Sequence, residues 1–319
     1  MKSKSNKPLW VLIVVSSLAT LAAADVIVWE AAIVPMQTDN TMDEIRTVAA
    51  GTEEATDSTS EPDKAVKKKK TSAIDFSSLR AVNKDIVGWI QVPGTVIDYP
   101  VLQSSTENPQ HYLYRDYKGN DTKYGSIFMD ADAAIGKSRC MTLYGHHMND
   151  GRMFADILKY GDLAFYQSSP TFTFTTYKSK SSEEWKVISV FKANVNPDQG
   201  EPFAYVRTDF SSDEDFLTFV HQVMIRSLID TGVTVNEKNK LLVLSTCSYE
   251  YDNFRTVVVA RKVRKGESVK VDTKKAVYRS SPLYPDCWYE DSEKPQYPET
   301  FQIAQKQHMT EWYDGKLLD

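Results

Sequence analysis

Cysteine is scarce in this chain. Cys140, Cys247 and Cys287 are the only three, and so sparse and odd a set excludes a disulfide framework. No Cys-x-x-Cys pair suggests a zinc site either. Basic charge is not in excess: 38 Lys and Arg face 43 Asp and Glu, for a formal net charge of −5. The electrostatic footprint of a nucleic-acid binder is therefore missing. Histidine is rare as well, with His111, His146, His147, His221 and His308 making up all five. Only the 146/147 pair stands beside other chemically suggestive residues. No internal repeat is visible. No metal cluster is visible, and no cofactor is expected.

One uncharged run is present, Pro8 to Ala24, preceded by Lys2, Lys4 and Lys7. A spanning helix needs about 20 apolar residues. This run falls slightly short, but apolar residues resume after Asp25 with Val26 to Trp29. Basic residues on its N-terminal side put that side in the cytoplasm. The expectation is an N-terminal anchor or signal segment over 1–36. It is read as a single-pass signal-anchor in the cell membrane, with the catalytic part extracellular. A signal peptide cut after Ala24 is the competing reading and exports the chain equally. Residues 37–73 read as a flexible linker rich in Thr, Ser, Glu, Asp and Lys, with too little apolar surface to fold alone.

From Asp75 the pattern changes. Phe76, Leu79, Val82 and Ile86 repeat at helical spacing, with Asp75 or Ser77 as the cap. Strands follow at 88–92, 96–102, 125–130 and 139–146, then a short helix over 153–158 and strands over 171–177 and 185–195. Ser211-Ser-Asp-Glu214 has the form of a capping box and opens a helix with Phe216, Phe219, Val220, Val223, Met224 and Leu228 on its apolar side. Strands over 240–247 and 255–263 close the domain. Many short strands and few helices predict a mainly β barrel or sandwich over 74–275. Beyond it, 276–319 is dense in Pro, Tyr, Trp and charge. An ordered wrap and a flexible tail both fit that composition.

The chemistry converges on Leu241-Leu-Val-Leu-Ser-Thr-Cys247. An apolar run ends in a thiol, and Arg255 opens the next strand eight residues later. A thiol becomes a good nucleophile only when ionised, which a nearby cation favours. If the two strands pair antiparallel through the short Ser248–Phe254 loop, the guanidinium lies close to the sulfur. It stays protonated and cannot be a base. It can donate to an oxyanion, a role worth about 3 kcal/mol in a preorganised site. His146, at the end of another strand, is the candidate acid and base. Cys140 has the look of a core residue.

Leu244-Ser-Thr-Cys247 with Arg255 downstream and Gly145-His146 upstream resembles the sortases, the cysteine transpeptidases of Gram-positive envelopes. The resemblance is closest to class B. Asp75-Phe-Ser-Ser-Leu, Gly88-Trp-Ile, Ile97-Asp-Tyr-Pro-Val101, Gly125-Ser-Ile-Phe-Met-Asp130 and Tyr144-Gly-His-His-Met148 also match. The match covers roughly 74 to 265.

It implies a sortase-type closed β-barrel with an N-terminal helix and a helix in the connection before the catalytic strand. It implies a thioester on Cys247 formed by cleavage after threonine in a C-terminal sorting signal of secreted proteins. An amine then accepts the acyl group, from a peptidoglycan precursor or from a pilin lysine in the alternative reading. A non-catalytic envelope-binding domain is the reading from another class. His146 maps to the family's histidine, with His147 second, and Arg255 maps to its arginine. Tyr205-Val206-Arg-Thr208, Leu113 and Ser245 resemble groove residues. Tyr297-Pro-Glu-Thr300 is similar to the Pro-x-Thr core of a sorting signal. No glycine or asparagine follows it, so a chance match is favoured over a pseudo-substrate.

Overall fold

The computed structural model describes residues 23–51 and 74–316. The chain divides into two compact units, Met1–Val48 and Ala49–Asp319.

In the first unit the chain is helical from residue 23, with a π-helical stretch Trp29–Ile33 that runs on into α1, Val34–Ala50. The first part of the expected linker is thus helical. The threonines that gave it a polar composition satisfy their hydroxyls within the helix. Thr38 donates to the Val34 carbonyl, Thr41 to Gln37 and Thr47 to Asp43, while Arg46 pairs with Asp43 at 2.9 Å.

The expected membrane anchor is not supported. Among the described residues no helix is long and apolar enough to cross a membrane. The helical stretch carries Asp25, Glu30, Asp39, Asp43, Glu44 and Arg46, charges that are expensive in hydrocarbon. Residues 8–22 of the apolar run lie outside the described residues. Single-pass attachment, and an extracellular placement argued from it, therefore have no support here.

In the second unit, α2 (Phe76–Val82) starts where Asp75 accepts hydrogen bonds from the N–H groups of Ser77 and Ser78. It stops at Asn83, whose backbone is extended and whose side chain accepts from Asp85 N–H. Ile86, expected on the helix, instead begins the first strand.

Eight strands then build a closed barrel. They are β1 (Ile86–Gln91), β2 (Asp98–Leu102), β3 (Ile127–Met129), β4 (Cys140–Tyr144), β5 (Thr171–Thr176), β6 (Glu184–Ala193), β8 (Leu241–Ser248) and β9 (Phe254–Lys262). Around the barrel the order is β1-β2-β3-β4-β8-β9-β6-β5. Two neighbours are parallel, β2 with β3 and β4 with β8, and the rest are antiparallel. Closure leaves no exposed edge. The short β7 (Ile229–Asp230) pairs outside the barrel with β10 (Val277–Tyr278).

The helix expected over 153–158 is a 3-10 helix, Ala155–Gly161, followed by α3 (Leu163–Ser168), which Asp162 caps. The helix before the catalytic strand is α4 (Asp213–Arg226). Ser212 is its cap, one residue later than the motif suggested. Asp215 explains the shift. It reaches back to Ser211 and forms a bidentate pair with Arg207, which holds its carboxyl well below the usual carboxylate range. The apolar face of α4 joins Ile188, Phe191, Val243, Val257 and Val259 in the main core.

The described part of the C-terminal segment, 276–316, is an ordered wrap. After β10, Arg279 and Leu283 N–H groups bond the carbonyls of Leu228 and Ile225. Helix α5 (Phe301–Lys306) buries Phe301 and Ala304 completely. Trp312 and Tyr313 pack on Phe301, and Asp314 pairs with Arg264 at 2.6 Å. The Tyr297-Pro-Glu-Thr300 stretch is docked on α4. His221 Nε2 donates to the Pro298 carbonyl at 2.9 Å, Gln222 to Glu299, and Thr300 caps α5.

Candidate active site

Strand β8 is buried from Leu241 through Thr246, and Cys247 is the first residue to emerge. The run of Leu and Val buries one strand between two barrel neighbours, and the thiol comes where that burial ends. Residue pairing across β8 and β9 sets Cys247 directly opposite Arg255, so the two side chains leave the sheet on the same face. The antiparallel pairing anticipated from the short loop is thus present.

His146 comes to the same place through the parallel strand. β4 pairs with β8 in register from Cys140 with Leu241 to Tyr144 with Ser245. Past the last pair, Gly145 N–H bonds the Ser245 carbonyl at 3.3 Å, and Thr246 Oγ1 donates to the Gly145 carbonyl at 2.7 Å. Gly145 leaves no room for a side chain: a Cβ there would sit 2.5 Å from Ile127 Cδ1 and 2.7 Å from the Phe154 ring. His146 follows, beside the end of the thiol strand.

The imidazole is anchored. His146 Nε2 lies 2.7 Å from the Leu113 carbonyl, and the Tyr114 ring tilts against it with centroids 5.2 Å apart. A carbonyl only accepts, so Nε2 carries the hydrogen and Nδ1 is left to exchange a proton. The carbonyl is itself placed by Gly125, whose φ of +58° favours glycine. A Cβ at Gly125 would fall 2.1 Å from the Leu113 oxygen.

His147 does different work. Its Nδ1 is 3.1 Å from the Cys247 carbonyl, and its ring stacks on Tyr249 at 5.0 Å.

His146, Cys247, Arg255, Leu113, Tyr205 and Ser245 all line one cavity of about 480 Å³. Tyr205 Oη and Ser245 Oγ are 3.0 Å apart. Burial pushes the Tyr205 phenol above its ordinary value, and the positive charge of Arg255 pulls the other way. Val206 does not join them; it is absent from the lining and 41% exposed.

Several lining residues were not anticipated from the sequence, among them Tyr114, Phe128, Asp130 and Tyr144. Tyr144 donates to Asp130 at 2.9 Å, and burial raises its pKa first of all. For Phe128, Asp130 and Tyr144 the signal lay in the blocks 125–130 and 144–148, but nothing local showed which side chains turn inward; Tyr114 lies in neither block.

Arg255 uses one terminal nitrogen, at 2.9 Å, to hold the carbonyls of both Asn253 and Phe254. The rest of its donor fork remains for a ligand. Cys140 is fully buried and pushed up to about 12 by that burial, and Cys287 is raised by burial too.

A half-buried thiol, an anchored imidazole and a guanidinium around one cavity of a closed barrel are the parts of a cysteine acyltransferase. Comparison with known proteins names the kind. The Sortase domain family model matches residues 90–263, and the chain belongs to the sortase family of cysteine transpeptidases.

Its relatives are of class B. Sortase B of Staphylococcus aureus is 35% identical over 192 residues, 59% of this chain and 75% of that protein. Sortase B of Listeria monocytogenes is 33% identical over 196 residues, 60% of this chain and 75% of that protein. The crystal structure of sortase B from Bacillus anthracis in complex with AAEK1 superposes with a TM-score of 0.58 at 30% identity, covering 73% of this chain and 99% of that one. Family membership implies substrate proteins bearing sorting signals and cell-wall amines as acceptors.

Proposed function

We propose that this sortase cleaves a C-terminal sorting signal after threonine and transfers the new acyl end to an amine of a peptidoglycan precursor. The observation that carries the reading is the convergence of Cys247, His146 and Arg255 on one cavity.

In the first half-reaction the Cys247 thiolate adds to the threonine carbonyl. The carbonyl electrons move onto oxygen, where the free N–H groups of Arg255 donate to the oxyanion. The C–N bond then breaks, and the leaving amine takes its proton from His146. A thioester on Cys247 remains. In the second half-reaction the acceptor amine adds to the thioester carbonyl and gives its proton to His146. The C–S bond breaks, a new amide forms, and the thiolate is regenerated.

His146 can serve in both directions because its Nε2 is fixed to Leu113 and Nδ1 is free to gain or lose the proton. Leu113, Tyr205 and Ser245 would contact the signal peptide in the cavity. Val206 would contact it only at the rim, since its side chain stands outside the lining. Tyr205 and Ser245 offer hydroxyls, while Leu113 and Phe128 offer apolar surface.

The test is incubation of the full-length chain with Pro-x-Thr peptides, with mass spectrometry for acylated Cys247. Cleavage and a thioester adduct are expected, and an added peptidoglycan-type amine should divert product from hydrolysis to the amide. Cys247→Ala should lose all of this and keep its melting temperature. Transpeptidation retained by that variant refutes the assignment of the nucleophile. Diversion by a pilin lysine peptide, and not by the peptidoglycan-type amine, refutes the assignment of the acceptor.

A further inference from the structure

The family match ends at residue 263, yet the loop joining Cys247 to Arg255 is held from well beyond it. Tyr251 Oη donates to the Cys287 carbonyl at 3.3 Å. The Trp288 ring lies 5.5 Å from Tyr251 and 6.0 Å from Phe254, and it is stacked on Tyr284 at 4.3 Å and 9°. Phe254 is fully buried and is the cross-strand partner of Ser248, the residue after the thiol. Arg255 comes next, and its guanidinium holds the carbonyls of Asn253 and Phe254.

The same loop is also held by the end of β6 and by the 3-10 helix Pro197–Gln199 that follows it. Lys192 pairs with Glu250 at 2.5 Å, and Gln199 donates to the Asp252 carbonyl at 3.0 Å. The C-terminal segment also closes on that second support: a Cβ at Gly200 would sit 2.7 Å from Asp286. Unsupported, the five-residue loop between β8 and β9, with Tyr249 and Tyr251 on its surface, would sample many conformations. Arg255 Cα stays opposite Cys247 in the strand ladder, but such motion would shift the Asn253 and Phe254 carbonyls that its guanidinium holds.

We propose that Tyr284–Tyr289, and Trp288 above all, is a positioning element of the active site. It clamps the Ser248–Phe254 loop through Tyr251 and Phe254, and so keeps the Arg255 guanidinium opposite Cys247. This rests on the roles given to Cys247 and Arg255 above. Trp288 is outside the cavity lining and acts only through the loop.

The test compares the full-length wild type with Trp288→Ala, Trp288→Phe and Tyr251→Phe. The readouts are peptide-cleavage kinetics, hydrogen exchange resolved to 248–255, and thermal melting. Misplacement of a catalytic group by about 1 Å costs up to about 100-fold in rate. On that scale Trp288→Ala should lower kcat about 10-fold, with KM changed far less, and should speed exchange at 248–255 but not in β1 and β2. Trp288→Phe, which keeps a ring against Phe254, should stay within about 3-fold of wild type.

A Trp288→Ala protein with wild-type kcat overturns the proposal. So does one whose exchange rises uniformly across the barrel. Should Trp288→Ala fail to fold, Tyr251→Phe decides: faster loop exchange and a lower kcat support the clamp, and no change in either overturns it. A wild type that cleaves no peptide refutes the transpeptidase reading instead. Loop exchange in Trp288→Ala or Tyr251→Phe then decides the clamp alone.

Discussion

Arg255 is useful because of its shape as much as its charge. One nitrogen is committed to two loop carbonyls, and the planar fork aims the rest. Lysine supplies a point charge that cannot do both. Arg255→Lys is therefore expected to lower kcat about 100-fold with little change in melting temperature, as steady-state peptide cleavage will show. Gly125 matters for another reason. Alanine there would drive a methyl group into the Leu113 carbonyl, the acceptor that orients His146. Gly125→Ala should reduce kcat about 10-fold. Unchanged kcat in a folded Gly125→Ala protein would mean that the Leu113 carbonyl does not orient the base.

Cys247, His146 and Arg255 were legible in the sequence because each stands at a strand end announced by an apolar run. Gly125 and Tyr114 were not. The contact that gives them meaning, His146 on Leu113, spans 33 positions, and no local pattern carries it. Val206 differs from its neighbour for a related reason: the two are adjacent in sequence, yet Tyr205 is buried and lines the cavity while Val206 is 41% exposed and outside the lining.

Among the elements, the barrel strands were readable from their runs of Val, Ile, Phe and Thr. The order in which they pair was not. Helix α3 was missed because Leu163–Ser168 is too short to show a period, and β10 because two residues have none at all. β9 carries an instructive charge. Arg261 is 2% exposed, and it shares Glu267 with the buried Lys186 through contacts of 2.7 Å. Those two cations hold the Glu267 carboxyl well below the usual carboxylate range. Glu267→Gln would leave both uncompensated inside the fold. It should cost about 3 kcal/mol, measured as a lower urea midpoint with an unchanged slope. A loss below about 0.5 kcal/mol, the size of a surface effect, would show the cluster to be solvated.

At the scale of the whole molecule, the C-terminal wrap brings a pH response. His221 is fully buried on α4, with Nε2 on the Pro298 carbonyl and Nδ1 without a partner. Burial lowers its pKa, and the nearby Arg226 and Arg279 add to the shift. The unfolded chain takes up this proton near pH 6.5, and the folded chain only at lower pH. The His221 contribution is thus complete above about 6.5 and is lost as pH falls through the folded value. Melting temperature should drop between about pH 7 and pH 5, and His221→Gln should flatten part of that slope. An identical slope in the variant would assign the effect to other groups.

The parallel pairing of β4 with β8 has a kinetic corollary. The β8–β9 hairpin is local and can close early. The bond from Thr246 to Gly145 spans 101 positions, and such a contact must wait for a large loop to be brought together. The thiol and the arginine are therefore neighbours before the imidazole arrives. During refolding, recovery of turnover should lag behind recovery of strand signal, because the last partner to dock is the one that moves the proton.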